Sequence, residues 1–315
     1  MTQSIAQSAG VDISKDTLDV HLHPAGVARR FPNNPRGLKA LLAWLGSVQL
    51  RRIVFEPTGP YHHAVERRLG EAGLALVKVN PRQARRFAQA IGCQAKTDAV
   101  DAAMLARLGA TLEPPARPIK SQTLDTLKEL HGARTALVKD RVAAQNRRHV
   151  LRLALLKRQA EQRLRHIDQQ LAALDAAMAE IVAADPELAA RLDILLSIPG
   201  IGKLTALAIL IEMPELGTIE NKAAASLAGL APFARDSGRK QGKRFIQGGR
   251  SGLRQALYMP ALVAARFNPQ LKAKYKALTQ AGKPPKLAIT VIMRKLLILA
   301  NALLRKRSTW VSDPA

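Results

Sequence analysis

The chain has 315 residues, 47% of them hydrophobic and only 3% aromatic, which excludes a disordered tail and favours helix over an all-β fold. Lys and Arg number 49 against 24 Asp and Glu, and a formal charge of +25 draws such a chain to polyanions. Nucleic acid comes before anionic membrane, because no apolar run of ~18 residues and no signal peptide is read. One cysteine, Cys93, precludes an intrachain disulfide and argues against cysteine-ligated zinc, as expected of a cytoplasmic protein.

GVDISKDTLDVHL (10–22) is read as strand, a tight turn or continuing strand, then more strand. NPRGLKALLAWLGS (34–47) is helical, and RRIVFEPTG (51–59) is a short apolar strand stopped at Pro57 and Gly59. PYHHAVERRLGEAG (60–73) is a helix closed by glycine, LALVKVN (74–80) a buried strand, and 81–91 and 97–109 are two helical pieces. This alternation predicts an α/β layer architecture. Proline-rich LEPPARPIK (112–120) marks a domain boundary. From Ser121 to Asp185 glycine and proline almost vanish, and Leu164, Ile167, Leu171, Leu174, Met178 and Ile181 form a heptad seam. The upstream part is basic and includes Arg147 and Arg148. This predicts a coiled-coil arm that dimerises and turns a cationic face to nucleic acid; a long helix packed on its own domain is the alternative. Beyond 184–187 the chain is helical, interrupted by a glycine-rich basic stretch at 235–252.

Three constellations carry chemistry. Asp98 and Asp101 share one face of a helix that Thr97 can cap, and a helix start alone would account for them. Upstream, however, Asp12 lies in the opening strand and Glu56 ends a later one, at the sheet rim where α/β folds build their sites. Four carboxylates converging there would repel, and a hard divalent cation, Mg²⁺ or Mn²⁺, relieves that repulsion. Two such ions can clamp a phosphodiester. Asp16 and Asp19 are rival acids; Asp12 is preferred because Val11 and Ile13 flank it. The second constellation is LLSIPGIGKLTALAILIE (195–212), similar to a helix-hairpin-helix. Gly200 and Gly202 allow a turn that points backbone N–H groups at a phosphate, and Lys203 adds charge; a tight turn between two core helices explains it equally well. The third is the loop of Ser237 with Arg235, Arg239, Lys240, Lys243 and Arg244. A serine among cations can attack a phosphate, because cations stabilise its alkoxide. Ser251 has an equal claim on chemistry alone.

Taken in order, VDISKDTLDV, EPTG, KTDAVDA, IPGIGKLTA, LAGLAPFARDSG and RSGLRQALY resemble the DEDD insertion-sequence transposases, the "IS one-ten" family that includes Piv-type DNA invertases, over residues 8–305. The resemblance implies a RuvC-like domain of RNase H fold (8–118), a helical coiled-coil arm (119–185) and a mostly α transposase domain (186–307). It implies a DEDD tetrad of Asp12, Glu56, Asp98 and Asp101, and it selects Ser237 over Ser251 as the serine of the family's SG loop. The implied chemistry is DNA strand exchange through a phosphoserine, at a composite site shared between protomers. A bridge RNA pairs with donor and target DNA, and a homodimer assembles to a tetramer on DNA. The setting is bacterial cytoplasm, with association to the nucleoid during activity and none with membrane. A structure-selective nuclease such as a junction resolvase, using the same acids and metal-activated water, is the alternative. A non-enzymatic nucleic-acid binder would satisfy the charge but leave the acids unexplained.

Overall fold

The computed structural model describes residues 6–93, 97–116, 121–234, 236–237, 242 and 244–311. The chain divides into two compact units, Met1–Lys120 and Ser121–Ala315.

The first unit is a five-stranded mixed sheet between helical layers. Strands β1 (Gln7–Ile13), β2 (Thr17–His23) and β3 (Val27–Pro32) form an antiparallel meander, followed by α1 (Pro35–Gly46), β4 (Leu50–Phe55), α2 (His62–Glu71), β5 (Leu76–Lys78), α3 (Pro81–Ala90) and α4 (Asp98–Leu112). The sheet order is β3-β2-β1-β4-β5, with β4 parallel to β1 and β5 parallel to β4. The residues around SKDT do turn: Ser14 N–H donates to the Thr17 carbonyl, and the Thr17 N–H donates to Ser14 Oγ, both at 2.9 Å. This sets Asp12 opposite Asp19. Sequence reading missed β3, VARRFP, in which only Phe31 is buried. A charged sheet edge lacks the apolar signal and discourages further strand pairing.

One sheet face packs Val11, Ile13, Leu18 and Ile53 against Leu41 and Leu45 of α1 and Val65 and Leu69 of α2. The opposite face packs Val54 and Val77 against Met104, Leu105 and Leu108 of α4. Here α4 lies directly on β1. A Cβ on Gly10 would come within 2.1 Å of the Ala102 carbonyl oxygen and 2.3 Å of the Ala106 nitrogen, so only glycine lets the two backbones approach this closely.

The second unit opens with α5 (Gln122–Val150) and α6 (Ala154–Ala183). They form an antiparallel hairpin, stapled by ion pairs between Arg134 and Asp175, Arg141 and Asp168 (2.7 Å) and Arg148 and Glu161 (2.6 Å). The seam packs within its own unit, as in the alternative of a long helix packed on its own domain. Leu151 and Leu153 adopt extended ψ angles of 136° and 132°, breaking the helix without glycine or proline. The seam then closes on its own chain: Ile167 and Leu171 pack with Leu137 and Ala144, while Met178 packs with Leu127 and Leu207. A short connection makes this pairing entropically cheaper than recruiting a second chain.

The remainder is α7 (Pro186–Leu196), α8 (Lys203–Glu212), α9 (Asn221–Leu227), a ribbon of β6 (Pro232–Phe233) and β7 (Phe245–Ile246), α10 (Ser251–Phe267), α11 (Pro269–Gln280) and α12 (Pro285–Lys306). Core side chains of α12, among them Ile292, Met293, Leu296 and Leu297, pack with Leu257 and Ala261 of α10 and Ile209 of α8. Although charges interrupt its apolar sequence, α12 has a window of mean hydropathy 2.0 and is long and apolar enough to cross a membrane; half of that window is buried within the protein. It is the core helix of this unit.

Candidate functional site

Alternation along β1 puts Asp12 on the face of Gly10, opposite Val11 and Ile13. That face carries α4, which meets Gly10 at Ala102 and Ala106. One turn earlier stand Asp98 and Asp101, and Thr97 caps the helix by accepting from the Val100 N–H at 3.3 Å. Glu56 follows Phe55, whose partner on β1 is Val11, so it leaves the sheet beside Asp12. The electrostatics report this convergence. The Asp12 carboxyl is raised from 3.8 to about 6, first by burial and then by the charges of Asp98, Asp101, Asp19 and Glu56. An acid so perturbed is short of positive charge. An all-carboxylate donor set in that state suits a hard divalent cation.

Asp19 is the member that sequence reasoning left as a rival. It is buried, and its carboxylate accepts from Arg30 Nε at 2.9 Å. The other end of that guanidinium lies 4.0 Å from Asp98. Arg30 on the edge strand therefore neutralises the fifth acid of the cluster. The signal was the hairpin register: a turn centred on SKDT makes 12 and 19 partners.

Beside Glu56, the loop to α2 is pinned by a polar chain. Lys78 donates to Glu66 and to His62 Nε2 (3.3 Å), while His62 Nδ1 lies 2.9 Å from the Gly59 carbonyl oxygen. His62 therefore carries its proton on Nδ1. Burial and the neighbouring Lys78 hold its pKa down, favouring the neutral ring. The ligand atoms of His62, His63 and Glu66 lie within 4.8 Å of one another, close enough to ligate a metal. The Lys78 ammonium already occupies that position, so this group is better read as a support for the loop carrying Glu56.

In the second unit, Ser237 is exposed in the loop between β6 and β7. Asp236 ties this loop together, pairing with Arg244 at 2.9 Å and accepting from the Gly242 N–H at 3.1 Å. Arg235, Arg239, Lys240 and Lys243 lie outside the described residues. Ser251 is the first residue of α10 and is also exposed. Gly200, with φ +104°, is required by packing: a Cβ would lie 2.9 Å from the Pro260 carbonyl oxygen. Its neighbour Gly202 meets no such obstacle and caps α8 without a side chain, leaving it and exposed Lys203 as the part of the motif open to a phosphate. Arg147 is exposed near the hairpin tip, and Arg148 beside it is partly neutralised by Glu161.

Sequence comparison defines the class. Residues 9–157 match a DEDD transposase model, and residues 192–276 match the model described as "Transposase IS116/IS110/IS902 family". The chain is 31% identical over 308 residues to the pilin gene-inverting protein of Moraxella bovis, covering 94% of this chain and 95% of that protein. The pilin gene-inverting protein of Moraxella lacunata matches to the same extent. A 42 kDa protein of insertion element IS900 from Mycobacterium paratuberculosis is 30% identical over 209 residues, 60% of this chain and 52% of that protein. Both family models describe transposases, and the two Moraxella relatives are named for gene inversion, so the class is one of DNA recombination enzymes. The chain belongs to the IS116/IS110/IS902 family of transposases.

Proposed function

We propose that this protein is a DNA recombinase in which Asp12, Glu56, Asp98 and Asp101 hold Mg²⁺ or Mn²⁺ and Ser237 is the nucleophile. The observation that carries the reading is the raised Asp12 carboxyl, surrounded by the charges of the other three acids. The sheet order, with an antiparallel meander followed by two parallel strands, supports a RuvC-like domain of RNase H fold in the first unit. The bound cation would neutralise phosphate charge and stabilise the developing oxyanions.

In the proposed reaction, Ser237 Oγ attacks a DNA phosphorus and its proton passes to solvent. The bond from phosphorus to the leaving deoxyribose oxygen breaks, and that oxygen takes up a proton. A deoxyribose hydroxyl of the other strand then attacks the phosphoserine and restores the serine. Each bond broken is replaced by one of equal kind, so no nucleotide cofactor is needed. Donor and target DNA are the substrates, and their choice is delegated to a bridge RNA, consistent with a surface whose charge suits polyanions more than it suits base reading. The working assembly is a dimer that pairs into a tetramer on DNA. As in the Moraxella relatives named for inversion, the outcome is a rearranged DNA segment.

Incubation with cognate DNA and Mg²⁺, followed by a denaturing gel, tests the reading. Wild type is expected to trap a covalent protein–DNA adduct, which Ser237→Ala loses while still binding DNA. An adduct persisting in Ser237→Ala would move the nucleophile elsewhere. Strand cleavage without any adduct would favour the second reading, a metal-dependent nuclease with water as nucleophile. That reading draws on one observation: all the clustered acids belong to the first unit.

A further inference from the structure

Helix α12 is apolar on more than its core side. Leu287, Val291 and Ile298 lie along its outer face, and Leu287 is 43% exposed. Together with Leu230, Phe245 and Ile246 at the base of the β6–β7 ribbon, they line a groove of about 760 Å³. This lies within the ~300–1,000 Å³ of clefts that take a small ligand. The other lining residues include four cations: Arg244, Lys286, Arg294 and Lys295. Arg244 is paired with Asp236; among the described residues no carboxylate pairs with the other three.

The two properties select an occupant jointly. Unpaired cations on a chain of charge +25 disfavour a second copy of this chain and favour a polyanion. Duplex DNA or RNA offers such a groove only its sugar–phosphate exterior, since stacking hides the apolar faces of its bases. An unpaired nucleotide offers both phosphate and an apolar base face, which Leu287, Val291 and Ile298 can cover. The ribbon that forms one wall also carries the loop of Ser237. We infer that this groove binds one or two unpaired nucleotides of a nucleic-acid strand, admitting bases that have left the duplex and rejecting paired ones. The inference rests on the reading of the chain as a recombinase, which must open duplexes to exchange strands.

Binding is tested with the full-length protein in chelator, so that no strand transfer occurs, against a short unstructured DNA strand carrying a fluorescent adenine analogue and the duplex of the same sequence. The strand is expected to bind more tightly than the duplex, with altered fluorescence of the analogue. Leu287→Ser with Val291→Ser should weaken strand binding about tenfold, leaving its salt dependence and duplex binding unchanged. Arg294→Gln, in the half-buried wall of the groove, should lower the salt slope for the strand by about 0.7. Equal losses on both probes, or no loss on either with folding intact by circular dichroism, would overturn the proposal. So would a groove that captures an acidic amphipathic peptide and ignores the strand. Because this assay needs no catalysis, absence of an adduct in the Ser237 experiment leaves it standing, and its own failure leaves the recombinase reading untouched.

Discussion

Asp12 shows how much one residue depends on its surroundings. In an exposed turn it would titrate like any carboxylate; on β1, partly buried and facing Asp98, Asp101 and Glu56, it is raised to about 6. The folded state favours its protonated form, so its favourable contribution to stability is complete below about pH 4 and is lost as pH rises through 6. Asp12→Asn removes that penalty. In chelator at about pH 7.5 the variant should be more stable than wild type by on the order of 1–2 kcal/mol, less than the full shift implies because the site is half in water, and the gain should vanish near pH 4. Adding Mg²⁺ should reverse the order at pH 7.5 by stabilising wild type alone. Thermal melts at both pH values check this, and a destabilised Asp12→Asn in chelator would contradict the crowding of charge around Asp12.

At the scale of elements, the site depends on how closely α4 approaches β1. Asp98 and Asp101 lie near enough to act on Asp12 because Gly10, Ala102 and Ala106 let helix and strand backbones nearly touch. Gly10→Ala should push α4 outward, costing about 1–3 kcal/mol in urea unfolding and abolishing Mg²⁺-dependent activity although no acid has changed. Loss of stability without loss of metal binding would show that the acids tolerate a displaced helix. Much of this layer was legible in the sequence. The positions of α1, α2 and α3 follow from apolar spacing; the structure adds the caps of α1 and α3, Asn34 and Asn80, each accepting from the first turn. The edge strand β3 was not legible, because a strand with one buried residue has no apolar pattern. Nor was the break at 151–153, made from residues that helices ordinarily accept. The heptad seam was real as a pattern, but a pattern of apolar residues does not specify which surface will cover it.

For the whole molecule, net charge and the distribution of chemistry over two units set the expectations. The acids lie in the first unit and Ser237 in the second. If the proposed site draws on different protomers, a mixture of Ser237→Ala and Asp98→Ala proteins should regain up to about a quarter of wild-type activity in mixed assemblies, by the statistics of pairing expected of a symmetric dimer. Each protein alone should be inactive. Recombination assays on the mixture measure this, and no recovery at any ratio would place serine and acids of the active site on the same protomer. At +25, binding should also weaken steeply with salt, so the mixture belongs at low ionic strength.

Some properties of this protein follow from its sequence alone, because they are sums or local periodicities that survive in any arrangement of the chain. These are its attraction to polyanions, the lack of a disulfide, the cap at Thr97 and the order of elements along the chain apart from the edge strand β3 and the break at 151–153. Which carboxylates meet was decided by tertiary structure, through the hairpin register that pairs Asp12 with Asp19 and the glycine contact that brings α4 over β1. So was the packing of the seam, whose Ile167, Leu171 and Met178 are buried within their own chain. Electrostatic coupling and burial depend on separation in space, and the charges of residues 56, 98 and 101 act on Asp12 only when the sheet and its covering helix have formed.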